Sequence, residues 1–253
     1  MKHILTTLLL CCTISLAFAA QPKVLVFSKT KGFRHDAIPV GKLAIMKLGQ
    51  DNNFAVDTTE DASVFTEANL KQYKVVIFLH TTGDVLDSAQ QVAFQHFIEH
   101  GGGYVGIHAA TDTEYDWPWY GKLAGAYFVS HPAQQEAVLH VADRHRSFST
   151  QALPDEWKRR DEWYNFRDIQ PDLHVVLTID EKTYTGGKNG DVHPMAWWHD
   201  YDGGRAFYTE LGHTKESYYD PLYLGHLLGG IDYALGRKKG SKNIGVVTLS
   251  DTH

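Results

Sequence analysis

Three short apolar runs constrain this chain more than anything else in it: KVLVFS at 23–28, KVVIFL at 74–79 and YVGI at 104–107. Such runs, rich in β-branched residues and lacking polar alternation, have no face to offer water, so each reads as a strand buried on both sides. Segments with helical spacing lie between them. One covers 36–49, with Gly49 near its end. Another covers 88–100, where Val92, Phe94, Phe97 and Ile98 share a side and Gly101-Gly102-Gly103 stops the helix. A further strand is expected at 54–58. Strand and helix alternating over short connections predict an α/β fold, a parallel sheet with helices on both faces.

The second half is richer in strand. Candidates are 136–141, 173–179, 195–199 and 205–209, followed by a helix over about 217–235 with Pro221 in its first turns and Gly236 closing it. No repeat or linker interrupts the pattern, so 21–253 reads as one domain. Residues 1–20 read as a signal peptide. Lys2 is followed by an apolar stretch at 4–16, too short to span a bilayer comfortably, and then by Ala17-Phe18-Ala19-Ala20. A periplasmic or secreted location is expected. Cys11 and Cys12, the only two cysteines, fall in this leader, and the preceding Leu8-Leu9-Leu10 does not suit lipidation. The mature chain therefore has no disulfide, thiolate nucleophile or thiolate ligand. It carries 23 basic and 30 acidic residues, a net −7, with no basic run, which argues against nucleic acid and anionic membranes as partners.

Ligands of an open parallel sheet bind at the carboxyl ends of its strands. Four expected loops at that edge each bring a histidine: His35 in 29–35, His80 in 80–84, His108 in 108–112 and His213 in 210–216. Asp84, Asp112 and Glu216 accompany them. Any one of these histidines alone reads as structural or merely exposed, but strand polarity forces the four loops together. The sharpest motif is GGGYVGIHAA at 101–110, a glycine-rich turn, a strand and then a histidine followed by small residues. It has the layout of a nucleophile elbow with His108 as the exposed residue. Imidazole there suits acid, base or metal-ligand work rather than acyl transfer.

The chain resembles the ThuA-like (trehalose-utilisation) family over nearly all of 23–236. The resemblance rests on TKGFRH (30–35), GGGYVGIHAATDT (101–113), WPWYGKLAGAYFVSHP (117–132), DEWYNF (161–166), DEKTY (180–184), HPMAWWHDYDGGRAFYTELGHTKESY (193–218) and LLGGIDYALG (227–236). It departs from the family pattern at His145-Arg146, where His-Pro is expected. The resemblance implies a flavodoxin-like fold akin to class I glutamine amidotransferases. His108 then stands where their cysteine would be, and His213 with Glu216 roughly where the triad histidine and acid would be. Loss of the thiol excludes glutamine hydrolysis by that mechanism.

Other motifs keep two readings each. Glu162 between aromatics, with Tyr164, is read as an acid/base group; the alternative is a strand edge packed into the core. Asp180-Glu181 supports the site or caps a turn. Trp117, Trp119 and Tyr120 form a sugar platform or a packed amphipathic segment. Arg205 holds a substrate carboxylate or pairs with an acid. His108, His213, Glu162, His35 and Tyr164 are thus the expected catalytic residues, and Asp84, Asp112, Trp117, Arg205 and His193 the expected substrate contacts. No HExxH or cysteine pair is present, so a divalent ion (Zn, Mn, Fe or Ni) needs dispersed ligands, His108, His131 and His213 first; a metal-free acid/base site is an equal alternative. The resemblance implies an exported enzyme acting on glycosides such as trehalose or their 3-keto derivatives, by elimination or hydrolysis. A small carbohydrate is then its partner. A non-catalytic sugar-binding protein and a metal-assisted amide or ester hydrolase are the alternatives, and oligomeric state is not legible.

Overall fold

The computed structural model describes residues 21–237. The signal-peptide segment 1–20 and the tail from 238 lie outside the described residues. The first three apolar runs become β1 (Lys23–Phe27), β3 (Val75–Leu79) and β4 (Gly103–Ile107), with β2 (Ala55–Thr59) beside β1. With β11 (Gly204–Thr209) they form a parallel array in the order β2-β1-β3-β4-β11. The sheet continues antiparallel through β10 (His193–Tyr201), β9 (His174–Ile179), β6 (Gln135–Val141) and β7 (Glu156–Asp161), nine strands in all. A separate pair joins β5 (Tyr127–Ser130) to β8 (Asn165–Arg167).

Alternation along β4 shows how the layers are assigned. Tyr104 points toward α3 (Ser88–Glu99) and α4 (Pro118–Ala124), meeting Phe94 and Tyr120. Gly103 faces the other way, against Ala234 of α5 (Pro221–Ala234), which packs with α1 (Ile38–Asp51). Helices thus cover both faces, and every residue of β3 and β4 is buried, as an unbroken apolar run requires. A one-turn helix, α2 (Glu67–Leu70), leans on α3. No helix among the described residues is long and apolar enough to cross a membrane.

Three boundaries differ from expectation for physical reasons. α1 begins two residues later and runs two residues further than expected, with Gly49 near its end, where a Cβ would stand 2.6 Å from the Phe54 carbonyl and 2.7 Å from Val56. The last helix starts at Pro221, with Asp220 capping the Leu222 N–H at 2.9 Å, and the preceding Lys215–Tyr219 is a separate 3-10 turn. The edge strand β7 (EWKRRD) was not expected, since five of its six residues are charged. Its inward positions Trp157, Arg159 and Asp161 nevertheless alternate with the outward Glu156, Lys158 and Arg160.

Candidate active site and metal-binding cluster

β3 and β4 end in register, Leu79 beside Ile107, and each is followed at once by a histidine in the left-handed region: His80 at φ 53° and His108 at φ 52°. A non-glycine residue there costs on the order of 1 kcal/mol, so two neighbouring examples mark a place where the fold holds side chains against local preference. β11 ends into Glu210-Leu211-Gly212-His213, and β7 ends into Asp161-Glu162. His35 arrives from the loop after β1. These elements meet at the carboxyl edge of the parallel array.

There, one ligand atom each from His35, His108, Glu162 and His213 lies within 4.8 Å of the others. His108 Nε2 is 3.1 Å from His213 Nδ1 and 3.4 Å from Glu162 Oε2, which is itself 3.1 Å from His213 Nδ1. His108 Nδ1 donates to the Glu210 carbonyl at 2.7 Å, which fixes the ring's orientation and turns Nε2 inward. The ring of Tyr164 lies 4.3 Å from that of His108 and backs it, while the Tyr164 N–H donates to Glu210 Oε1 at 3.2 Å. His80 packs on His35 at 4.7 Å and shares 2.9 Å with the Tyr218 hydroxyl.

Asp161 organises the frame. It is wholly buried; its Oδ1 accepts the N–H groups of Glu162 (3.1 Å) and His213 (3.2 Å), and its Oδ2 accepts that of Gly212 (3.2 Å) and pairs with Arg159 at 3.0 Å. One carboxylate therefore sets the backbone of two residues in the cluster.

The electrostatics follow from crowding. Burial alone would lower His108, but hydrogen bonding to Glu162 and Glu210 outweighs it and raises His108 to about 10. Burial would raise Glu162, yet His108 and His213 hold it well below the usual carboxylate range. His35 is pushed down to about 2 by burial and by the neighbouring His108 and His213. Burial lifts Glu210 to about 7 although His108 opposes it. His80 is lowered well below its ordinary value by burial and His108. The site thus holds a positive charge on His108 beside Glu162 and keeps His35 and His80 neutral.

Three imidazoles and one carboxylate make a donor set that fits a divalent transition ion. The inward Nε2 of His108 and the buried, unpartnered Nδ1 of His35 support the fit. His35 and Glu162 stand in this set where His131 was expected. His131 sits beside it, with Nδ1 3.1 Å from Glu162 Oε1 and the side chain 42% exposed.

The other expected residues lie around or away from the cluster. Asp112 is half-buried, accepts the Tyr115 hydroxyl at 2.7 Å and has its carboxyl raised by burial. Asp84 is exposed on the adjoining loop. His193 stands behind the site, bonded to the Tyr164 carbonyl and to Glu181, both at 2.8 Å. Asp180 caps the Glu181–Thr183 turn, so of the paired readings for Asp180-Glu181 each describes one residue. Trp117 stacks on Trp119, whose indole donates to Asp202 in the β10–β11 turn, at the far end of β11 from Glu210. Arg205 is at that far end too, held by the carbonyls of Ala234 and Gly101. Neither tryptophan nor Arg205 meets the cluster; the tryptophans form a packed segment. The acid beside His213 is Glu162, whereas Glu216 is exposed, as is His145. Sequence reasoning brought His80 to this edge without giving it a role and left Glu210 and Asp161 out, although Glu210 follows a strand end just as His108 does. Asp161 gives no such signal.

No curated relative matches the sequence. Among solved structures, the chain is similar to a ThuA-like protein from Bacteroides uniformis ATCC 8492, at TM-score 0.73 and 24% identity over 90% of this chain and 97% of the other. A ThuA-like protein from Parabacteroides merdae ATCC 43184 aligns at TM-score 0.70 and 21% identity over 88% and 93% of the two chains. A β-galactosidase from Bacillus circulans sp. alkalophilus shares the fold in 31% of its length, covering 87% of this chain, at TM-score 0.55 and 12% identity. The family model described as ThuA, trehalose utilisation, matches residues 23–234, so the chain belongs to the ThuA family.

Proposed function

We propose that this ThuA-family chain is an exported carbohydrate-active enzyme that cleaves glycosides, or their 3-keto derivatives, at the His35–His108–Glu162–His213 cluster. The observation that carries the reading is the convergence of these four side chains at the strand ends, beside a half-exposed His131 that shares Glu162. Export is part of the proposal, on the strength of the apolar stretch 4–16 and the alanine-rich exit at 17–20.

A 3-keto-glycoside has an acidified C2 proton. In the elimination, a base takes that proton, the C2–H electron pair forms the C1=C2 double bond, the C1–O bond breaks, and the leaving oxygen receives a proton. His131, open to solvent, would move protons on one side, oriented by Glu162, which is held ionised 3.1 Å away. Tyr164 and Glu210 hold His108 in orientation. His35, His108, Glu162 and His213 would hold a divalent ion, which when bound would supply Lewis acidity toward a substrate oxygen. The donor set suits Zn, Mn, Fe or Ni. The elimination proceeds without the pair of facing carboxylates that an ordinary glycosidase uses.

The test incubates the purified protein with trehalose, other glucosides and their 3-keto forms, with and without chelator, and follows products by mass. Cleavage that fails with chelator and in His108→Ala is expected. Saturable sugar binding without any product would instead make the chain a sugar-binding protein and overturn the enzymatic reading.

A further inference from the structure

The tryptophans that looked like a sugar platform are spent on packing at the other end of the sheet, so the site needs its aromatic surface from elsewhere. Phe33 is the exposed aromatic beside the cluster. Its side chain stands edge-on to His35 with ring centroids 4.9 Å apart, and the residue is 67% exposed. Leaving so large an apolar ring in water forgoes the free energy of its burial.

The loop that carries it is pinned. Lys31 N–H donates to the Thr82 carbonyl at 2.8 Å, Gly32 N–H to Thr82 Oγ1 at 3.1 Å, and Thr82 Oγ1 donates to the Phe33 carbonyl at 2.9 Å. The following residue is fastened as well: Arg34 makes a two-pronged pair with Glu60 at 2.8 and 2.9 Å. A rigid backbone thus presents an uncovered ring next to a ligand of the cluster. Phe128 and His131 form a second aromatic group, joined to His108 through Tyr164, so the cluster has aromatic neighbours on two sides.

We propose that Phe33 is the stacking surface for one pyranose ring of the substrate, placing the sugar's apolar C–H face on the phenyl ring while its hydroxyls turn to the histidines and Asp112. An aromatic ring meets a sugar well because one face of a pyranose is all C–H and the ring face carries negative quadrupolar charge. Preorganisation of the loop means that binding spends no ordering entropy on it. The inference rests on the carbohydrate reading of the site and adds the residue that recognises the sugar.

The experiment compares the holoprotein with Phe33→Ala and Phe33→Tyr, measuring metal per chain, KM and kcat on the keto-glucoside, and disaccharide binding by calorimetry. Because the ring is exposed, both variants should fold. Phe33→Ala is expected to raise KM and the sugar Kd by about tenfold, the equivalent of one lost stacking contact, with kcat changing less and metal content unchanged. Phe33→Tyr, which keeps the ring, should restore most of the loss. Normal KM and Kd in Phe33→Ala, in a protein whose wild type turns sugar over, would overturn this role alone. A wild type that neither binds nor converts any glycoside would overturn the carbohydrate reading and this inference with it.

Discussion

Replacing Asp161 by Asn tests whether one buried carboxylate sets the cluster. Asp161 accepts three backbone N–H groups, from Glu162, Gly212 and His213, and pairs with Arg159, whose side chain is only 8% exposed. Asparagine keeps one oxygen and turns an NH₂ donor toward donors that need an acceptor. Arg159 is then left with Asp220 at 3.5 Å as its remaining ion-pair partner among the described residues. Breaking a buried pair of this kind costs about 3–5 kcal/mol. In a domain of this size each kcal/mol lowers Tm by roughly 2–4 °C, so a fall of about 10 °C is expected by circular dichroism of the metal-free protein. The same change loosens the backbone at Glu162 and His213, so affinity for Zn, read by competition with a chromophoric chelator, should drop about 10- to 100-fold, the usual effect of losing a support behind a ligand. A Tm within about 2 °C of wild type together with unchanged metal affinity would refute the claim that Asp161 organises either the fold or the site.

Two further outcomes follow from packing and protonation. His226 is wholly buried between the Ser149 carbonyl and Thr209 Oγ1, each at 3.0 Å, and burial pushes its pKa down to about 4 despite the Ser149 bond. The unfolded chain takes up a proton near pH 6.5 that the native protein refuses until about 4, so stability present above 6.5 is lost as pH falls through that window. Comparing urea unfolding of the metal-free protein at pH 7 and 4.5, His226→Gln should lose about 2–3 kcal/mol less than wild type. Gly103→Ala should cost about 2–3 kcal/mol, because the new Cβ would stand 2.3 Å from the Ala234 carbonyl and force α5 off the sheet; chemical denaturation measures it, and a neutral result would mean that the contact is slack.

The parallel half of the fold was legible because its strands are buried on both faces and therefore written as unbroken apolar runs. The antiparallel half was partly legible, and β7 was not, since an edge strand carrying Glu156, Lys158 and Arg160 outward loses the hydrophobic signal that marks a strand. The site divided along the same line. His35, His108 and His213 could be placed because strand polarity alone puts their loops at one edge. Glu162 was readable only as a carboxylate among aromatics. It reaches the cluster because β7, on the far edge of the sheet, delivers it through Asp161, a connection that no periodicity encodes.

What the sequence could not show is why His80 and His108 sit where they do. Both adopt a left-handed backbone that histidine disfavours, immediately after buried strands whose own propensities are strong. Local preference would have put glycine or asparagine at either position. The strands β3 and β4 are fixed by burial on both faces, so their ends can carry the conformational cost without slipping register. The left-handed turn at His108 is also what leaves its Nδ1 against the Glu210 carbonyl and its Nε2 toward Glu162 and His213. Strain at the strand ends and convergence of the ligand atoms are therefore one feature. A variant that relaxed the turn by placing glycine at 108 would remove the strain and the imidazole together, which is why local stability and the chemistry of this edge pull in opposite directions.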